Sequence, residues 1–209
     1  MKYTCIIFLT LALFTFSCSS GKTNNTASAV DTLSTADLLK TETWKCIDTA
    51  QDKFCLPPSW KPFAHNKGYI FCSYLDNKDQ TTVFAVLKTA ESKDVNINSY
   101  LKKVYKQLKS DSAEIVKGYS VKNLVYETKE TYFGRYYANV NDRSYLTYSM
   151  IFELDNNIYE IALKCEKANW KKYSAVFQKI LSSFRHKDAP FFREGDRITE
   201  QKAVDLSKL

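Results

Sequence analysis

From Ser144 to Leu154 the residues Leu146, Tyr148, Met150, Phe152 and Leu154 recur at every second position. That is the spacing at which a strand puts one row of side chains on a core. Tyr159, Ile161, Leu163 and Cys165 repeat the pattern. With Asp155, Asn156, Asn157 and Ile158 turning the chain, it predicts Leu154 opposite Tyr159, Phe152 opposite Ile161, Met150 opposite Leu163 and Tyr148 opposite Cys165. After Cys165 the period changes. Trp170, Tyr173, Phe177, Ile180, Leu181 and Phe184 follow the spacing of an amphipathic helix, with Asn169 as its expected N-cap. Hairpin and helix are expected to share one core.

The same reading places a folded region from Trp44 onward. Trp44 to Asp48 and Lys53 to Leu56 flank Thr49-Ala50-Gln51-Asp52 and make a hairpin that sets Cys46 opposite Cys55. Pro57, Pro58 and Trp60 end that strand. Tyr69 to Leu75 and Thr82 to Thr89 read as strands around Asp76 to Asp79. Asn98 to Lys109 reads as a helix with Leu101, Val104, Tyr105 and Leu108 as its apolar stripe and Asn98 as its cap. Glu114 to Lys117, Leu124 to Lys129 and Tyr132 to Val140 complete the strands. The order implies an α+β fold, an antiparallel β-sheet flanked by helices. Residues 187–209 are expected to be a tail, loosely packed or mobile, with a weakly helical end from Ile198 to Leu209.

Composition narrows the classes. The chain has 209 residues, 44% hydrophobic and 14% aromatic, enough for a core. Its formal charge is +7, with Lys interspersed among Asp and Glu, so no concentrated patch for nucleic acid stands out. Lys102, Lys103, Lys106 and Lys109 form a basic face on the first helix. Such a face is either solvated or rests on anionic headgroups or an acidic partner.

The N-terminus carries a separate signal. Lys2 precedes an apolar run from Ile6 to Phe16, and Ser17 stands directly before Cys18. This is the layout of a secretory leader, 1–17. The run is too short for the roughly 20 residues of a membrane-spanning helix. Thr15-Phe16-Ser17-Cys18 resembles the lipobox of bacterial lipoproteins, although Thr15 stands where Leu is usual and Phe16 is bulky. That resemblance implies that Cys18 is acylated and becomes the first mature residue. The following segment is rich in Ser, Thr, Asn and Ala, so 18–43 reads as a lipidated Cys and polar tether. A flexible chain of about 20 residues spans roughly 25 Å. Ser19 lacks the acidic character that retains enterobacterial lipoproteins at the inner membrane, so by resemblance the outer membrane is expected.

Phe54-Cys55-Leu56-Pro57-Pro58-Ser59-Trp60, the long strand pair, and Tyr159 to Cys165 followed by a helix ending Ile180-Leu181-Ser182-Ser183-Phe184 together resemble the PsbP/Mog1-like α/β/α sandwich, over roughly residues 44–186. That group includes extrinsic photosystem subunits, a small-GTPase-binding protein and bacterial envelope lipoproteins. The resemblance implies binding or assembly rather than catalysis, and it transfers no functional residues.

Catalytic chemistry is hard to place. The two histidines, His65 and His186, fall in a loop and just past a helix, which is too few for a His-rich metal site. Cys46, Cys55, Cys72 and Cys165 contain no C-x-x-C spacing, so structural disulfides are the better reading. Cys46 with Cys55 is the first choice, although directly opposed strand residues sit somewhat far apart for a bridge. Cys72 and Cys165 either pair or stay buried. Five glycines supply neither a nucleophile elbow nor a phosphate loop. Glu153 and Glu160, opposed in the expected register, would repel on the outer face. Tyr132, Phe133, Tyr136, Tyr137 and Tyr145 either pack across strands or offer a stacking platform.

The sequence therefore predicts a lipid-anchored envelope protein with no enzyme activity, no cofactor, no metal and no nucleic-acid partner. It would bind a protein partner or small ligand at the membrane. The alternatives are a hydrolase assembled around residues such as His65 and nearby carboxylates, or a purely structural assembly factor. Cys18→Ala is expected to abolish incorporation of labelled fatty acid and release the protein from membranes; undiminished labelling would contradict the lipobox reading.

Overall fold

The computed structural model describes residues 43–64, 70–76, 82–90, 95–110, 115–127, 129–140, 142–193 and 198–209, with the side chains at 62–64, 70–76, 115–117 and 140 left out of the description. A short hairpin comes first: β1 (Lys45–Asp48) and β2 (Asp52–Leu56) pair with Cys46 opposite Cys55. β3 (Trp60–Ala64), β4 (Ile70–Asp76) and β5 (Val83–Ala90) follow as an antiparallel run. After α1 (Ile97–Ser110) come four long strands, β6 (Ile115–Tyr126), β7 (Lys129–Val140), β8 (Arg143–Leu154) and β9 (Asn157–Glu166). A 3-10 turn at Lys167–Asn169 leads into α2 (Trp170–Ser183), then β10 (Arg185–His186), β11 (Ala189–Pro190) and β12 (Ile198–Ala203).

Two sheets result. The large one runs β12-β6-β7-β8-β9-β5-β4-β3 and the small one β1-β2-β10-β11, all neighbours antiparallel. The alternation along β8 and β9 explains the layers. Met150, Phe152, Tyr159, Ile161 and Leu163 point into a core shared with Tyr173, Phe177 and Ile180 of α2 and with Phe54 and Leu56 of β2. Ile151 and Ile158 point the other way, into a second cluster with Ile97 and Leu101 of α1. β8 is therefore covered on both faces, and seven consecutive residues from Leu146 to Phe152 are buried.

The β8–β9 register corrects the one expected from the pattern. Leu154 faces Asn157, Phe152 faces Tyr159, Met150 faces Ile161 and Tyr148 faces Leu163. The turn holds only Asp155 and Asn156, with φ of 49° and 56°. Positive φ at both central positions is what the tight primed turn requires, and Asn and Asp tolerate it. The pairing moved by two residues, so each side chain kept its face. Glu153 consequently faces Ile158, and Glu160 faces Ile151; the two acids do not oppose each other.

Other expectations are also corrected. α1 is capped by Asn96 rather than Asn98: Asn96 Oδ1 accepts from Ser99 N at 2.9 Å, and Asn96 N donates to Ser99 Oγ at 3.0 Å. Asn169 occupies the N-cap position of α2 without a side-chain cap bond. The two strands expected between Glu114 and Lys129 are one, because a bulge between Lys117 and Ser120, with Gly118 at φ 65°, carries β6 through.

The tail expectation fails most clearly. Phe191 and Phe192 are buried, 4.1 Å and 5.5 Å from the Phe152 ring centroid, beside Phe184 at 5.6 Å. Residues 198–203 form an edge strand on β6 rather than a helix. Phe191→Ala is expected to destabilise the fold by about 3 kcal/mol in chemical denaturation, the range for emptying a buried aromatic site; an unchanged midpoint would restore the loose tail.

Candidate functional site

The residues with the most chemistry meet where the small sheet lies over the end of the β8–β9 hairpin. Asp52 opens β2 and is 2% exposed. A turn holds it there: Thr49 Oγ1 accepts from Asp52 N at 3.1 Å and donates to Asp52 O at 2.9 Å. A carboxylate this deep needs partners. The Tyr159 hydroxyl on β9 lies 3.1 Å from both Asp52 carboxylate oxygens. Lys88 Nζ on β5 lies 3.3 Å from Oδ2 and 5.1 Å above the Tyr159 ring. His186 Nδ1 on β10 lies 2.6 Å from Oδ1.

His186 continues the network. Its Nε2 lies 3.0 Å from Asp155 Oδ2 in the β8–β9 turn, and the Lys187 ammonium pairs with the same oxygen. Each ring nitrogen of His186 thus faces a carboxylate oxygen. Hydrogen bonds from Lys187 and then His186 hold the Asp155 carboxyl below its ordinary range. Burial, reinforced by Asp52, pushes the Tyr159 phenol up. The main chain follows the same path, with Lys187 N donating to Gln51 O at 2.7 Å.

Beside the network opens a pocket of about 630 Å³. Leu154, Pro190 and Phe191 supply apolar wall, Asp155, Glu153 and Glu130 acid, and Lys129, Lys187 and Arg193 base. The Lys129 ammonium donates to Phe191 O and lies 4.8 Å over the Phe191 ring. Glu153 Oε1 accepts from Ile97 N at 3.0 Å, which places a carboxylate at the N-terminus of α1.

A second buried acid lies under α1. Glu160 is 7% exposed and its Oε2 accepts from the Tyr100 hydroxyl at 2.5 Å. Burial lifts the Glu160 carboxyl above its ordinary range, against hydrogen bonds from Tyr100 and Ser149. Burial and then the Glu160 charge likewise raise the Tyr100 phenol.

The residues singled out from sequence are scattered. Cys46 and Cys55 form a disulfide, and their Cα atoms are 3.9 Å apart, closer than opposed strand positions led us to expect. Cys165 is buried in the main core; the side chain of Cys72 is outside the description, and Cys18 and His65 lie outside the described residues. Lys102, Lys103, Lys106 and Lys109 are exposed on α1. Of the aromatic set, Phe133 lies tilted against Tyr148 at 5.2 Å, Tyr136 meets Tyr119 at 6.1 Å, and Tyr145 and Tyr137 lie under Lys164 and Lys167. They pack across the sheet and are partly buried. Among the described residues no His, Cys, Asp and Glu group has the geometry to hold a metal ion. Also among them, no helix is long and apolar enough to cross a membrane.

No family model matches this chain, and no curated protein matches it. Solved structures do. Cyanobacterial PsbP (CyanoP) from Synechocystis sp. PCC 6803 superposes with a TM-score of 0.52 at 13% identity, over 69% of this chain and 92% of that one. A protein from Bacteroides thetaiotaomicron VPI-5482 gives 0.46 at 14% identity, over 74% and 51%. LpqN of Mycobacterium tuberculosis, described as involved in cell envelope biogenesis, gives 0.43 at 7% identity, over 68% and 90%. The fold is PsbP-like.

The pH dependence of Glu160 gives a direct check. Its carboxyl titrates higher in the fold than in the unfolded chain, so the native state holds more protons as pH rises past about 4.5. Stability on this account falls as pH climbs through that window and the loss is complete above the raised value. Glu160→Gln carries no such loss. The variant is expected to match the parent melting temperature near pH 4 and exceed it near pH 8; a difference independent of pH would contradict this.

Proposed function

We propose that this chain is a lipid-anchored protein of the cell envelope, non-catalytic, binding a protein partner or small ligand at the membrane surface, with the outer membrane as its site. The leader, Cys18 and the polar tether support the anchor, and the PsbP-like fold fits a binding or assembly role. The observation that carries the non-catalytic part is the saturation of the acid and base groups. His186 has a carboxylate on each ring nitrogen, Asp52 is shared by Tyr159, Lys88 and His186, and Asp155 is paired with Lys187. A general base needs a lone pair within reach of substrate; His186 has both ring nitrogens against carboxylates, and Asp52 is buried among its partners.

A hydrolase remains the second reading, because His186 and Asp155 do line the pocket. Its site differs from the one expected around His65.

Crosslinking in cells followed by mass spectrometry, with a Cys18→Ala control, separates the readings. A reproducible partner lost in the control is expected. Failure to recover any partner, together with hydrolysis of ester or peptide probes lost in His186→Gln, would replace the binding reading by the enzymatic one.

A further inference from the structure

The large sheet has two edges, and they differ in kind. At one end β3 contains Pro62, which cannot donate, and its pairing with β4 is irregular between Pro62 and Ala64. That edge is blunted in the usual way. At the other end β12, Ile-Thr-Glu-Gln-Lys-Ala, is exposed at every residue and contains no proline, and past a bulge between Ile198 and Glu200 it pairs regularly with β6.

The backbone of β12 can be sorted by direction. Val204 N donates to Val121 O at 2.9 Å, and Lys202 and Glu200 face Asn123 and Val125 in the same ladder. Antiparallel pairs alternate between bonded and non-bonded residues. Residues 200, 202 and 204 therefore spend their N–H and C=O groups on β6, and Gln201 and Ala203 direct theirs outward; Thr199 sits in the bulge between Ile198 and Glu200, where its hydroxyl donates to Val125 O at 3.1 Å. A strand added at this edge must bond to those two.

The side chains favour one occupant. Glu200 and Lys202 lie on either side of Gln201 and pair with each other within the strand. An antiparallel copy of the same strand, related by a two-fold axis through Gln201, sets Gln201 against Gln201, Thr199 against Ala203, and each Glu200 against a Lys202. The axis passes through an outward-bonding residue, as a bonded antiparallel pair requires. The charges that would guard the edge become complementary cross-strand pairs. Ile198, the large apolar side chain exposed at 48%, lies at the end of the same edge, toward the Val204 end of the second strand.

We propose that two copies of this chain associate through β12, antiparallel and centred on Gln201, joining their large sheets into one continuous sheet. The contact is centred on the bonded Gln201 pair, with about two backbone hydrogen bonds there, and adds two cross-strand ion pairs. It is isologous, so it closes at a dimer.

Cysteine crosslinking in the full-length chain tests the register. Cα atoms of a bonded pair are about 5.5 Å apart, so Gln201→Cys is expected to yield a disulfide dimer under mild oxidation, above the parent chain. Thr199→Cys stays at the parent level, because the two copies of that residue lie about 14 Å apart. Light scattering of the detergent-extracted chain tests the charge pairs. Glu200→Lys is expected to weaken dimerisation on the order of tenfold, and the double variant Glu200→Lys with Lys202→Glu restores it. A chain that stays monomeric at every concentration, equal crosslinking at both positions, or capture of a different protein at Cys-substituted position 201 without self-crosslinking would each overturn the proposal.

Discussion

Asp52 is a carboxylate buried to 2% at the seam between two sheets, and its need for partners organises the surroundings. An unpaired charge at such depth costs several kcal/mol even after relaxation. The partners come from far along the chain: Lys88 from β5, Tyr159 from β9 and His186 from β10. The small sheet can satisfy Asp52 only by lying where it does over the β8–β9 hairpin. His186 then reaches Asp155 in the turn of that hairpin, so one imidazole joins the hairpin at the start of the domain to the turn at its middle.

That seam sets what the adjacent surface can do. With His186 fixed, β10 and β11 run back so that Phe191 and Phe192 enter the aromatic cluster around Phe152. The stretch from Ala189 to Arg193 thereby becomes a wall of the pocket rather than a free tail. The pocket has mixed charge and a rigid apolar side, and its acids and bases are tied to neighbours. On the proposed reading such a surface serves recognition. Under α1, Glu160 is the opposite case, a carboxyl placed where burial outweighs its two hydrogen bonds.

Much of the fold was legible because periodicity survives where each strand buries at least one face. The hairpin pairing of Cys46 with Cys55, the α2 stripe and the strands β5, β7, β8 and β9 all followed from alternation and spacing. The two-residue turn at Asp155 and Asn156 was misjudged since Asn157 looks equally turn-like, and only the backbone reveals that it already pairs with Leu154. β12 was misread as weakly helical because an edge strand exposed on all sides shows no alternation. The Asp52 and His186 pair, 134 residues apart, left no local signal: an Asp in a turn and a His after a helix are ordinary in isolation. An acid expected in a turn but followed at once by alternating apolar residues was the one clue to its burial.

Asp52 and His186 act as one structural unit. A double-mutant cycle with Asp52→Ala and His186→Ala, followed by urea unfolding, measures that coupling directly. Each single substitution strips a buried polar partner of a hydrogen bond, so the double variant should lose less than the sum, with an interaction energy of about 1 kcal/mol or more. Additive losses would mean that the two residues stabilise the fold independently, and the seam would then have another cause.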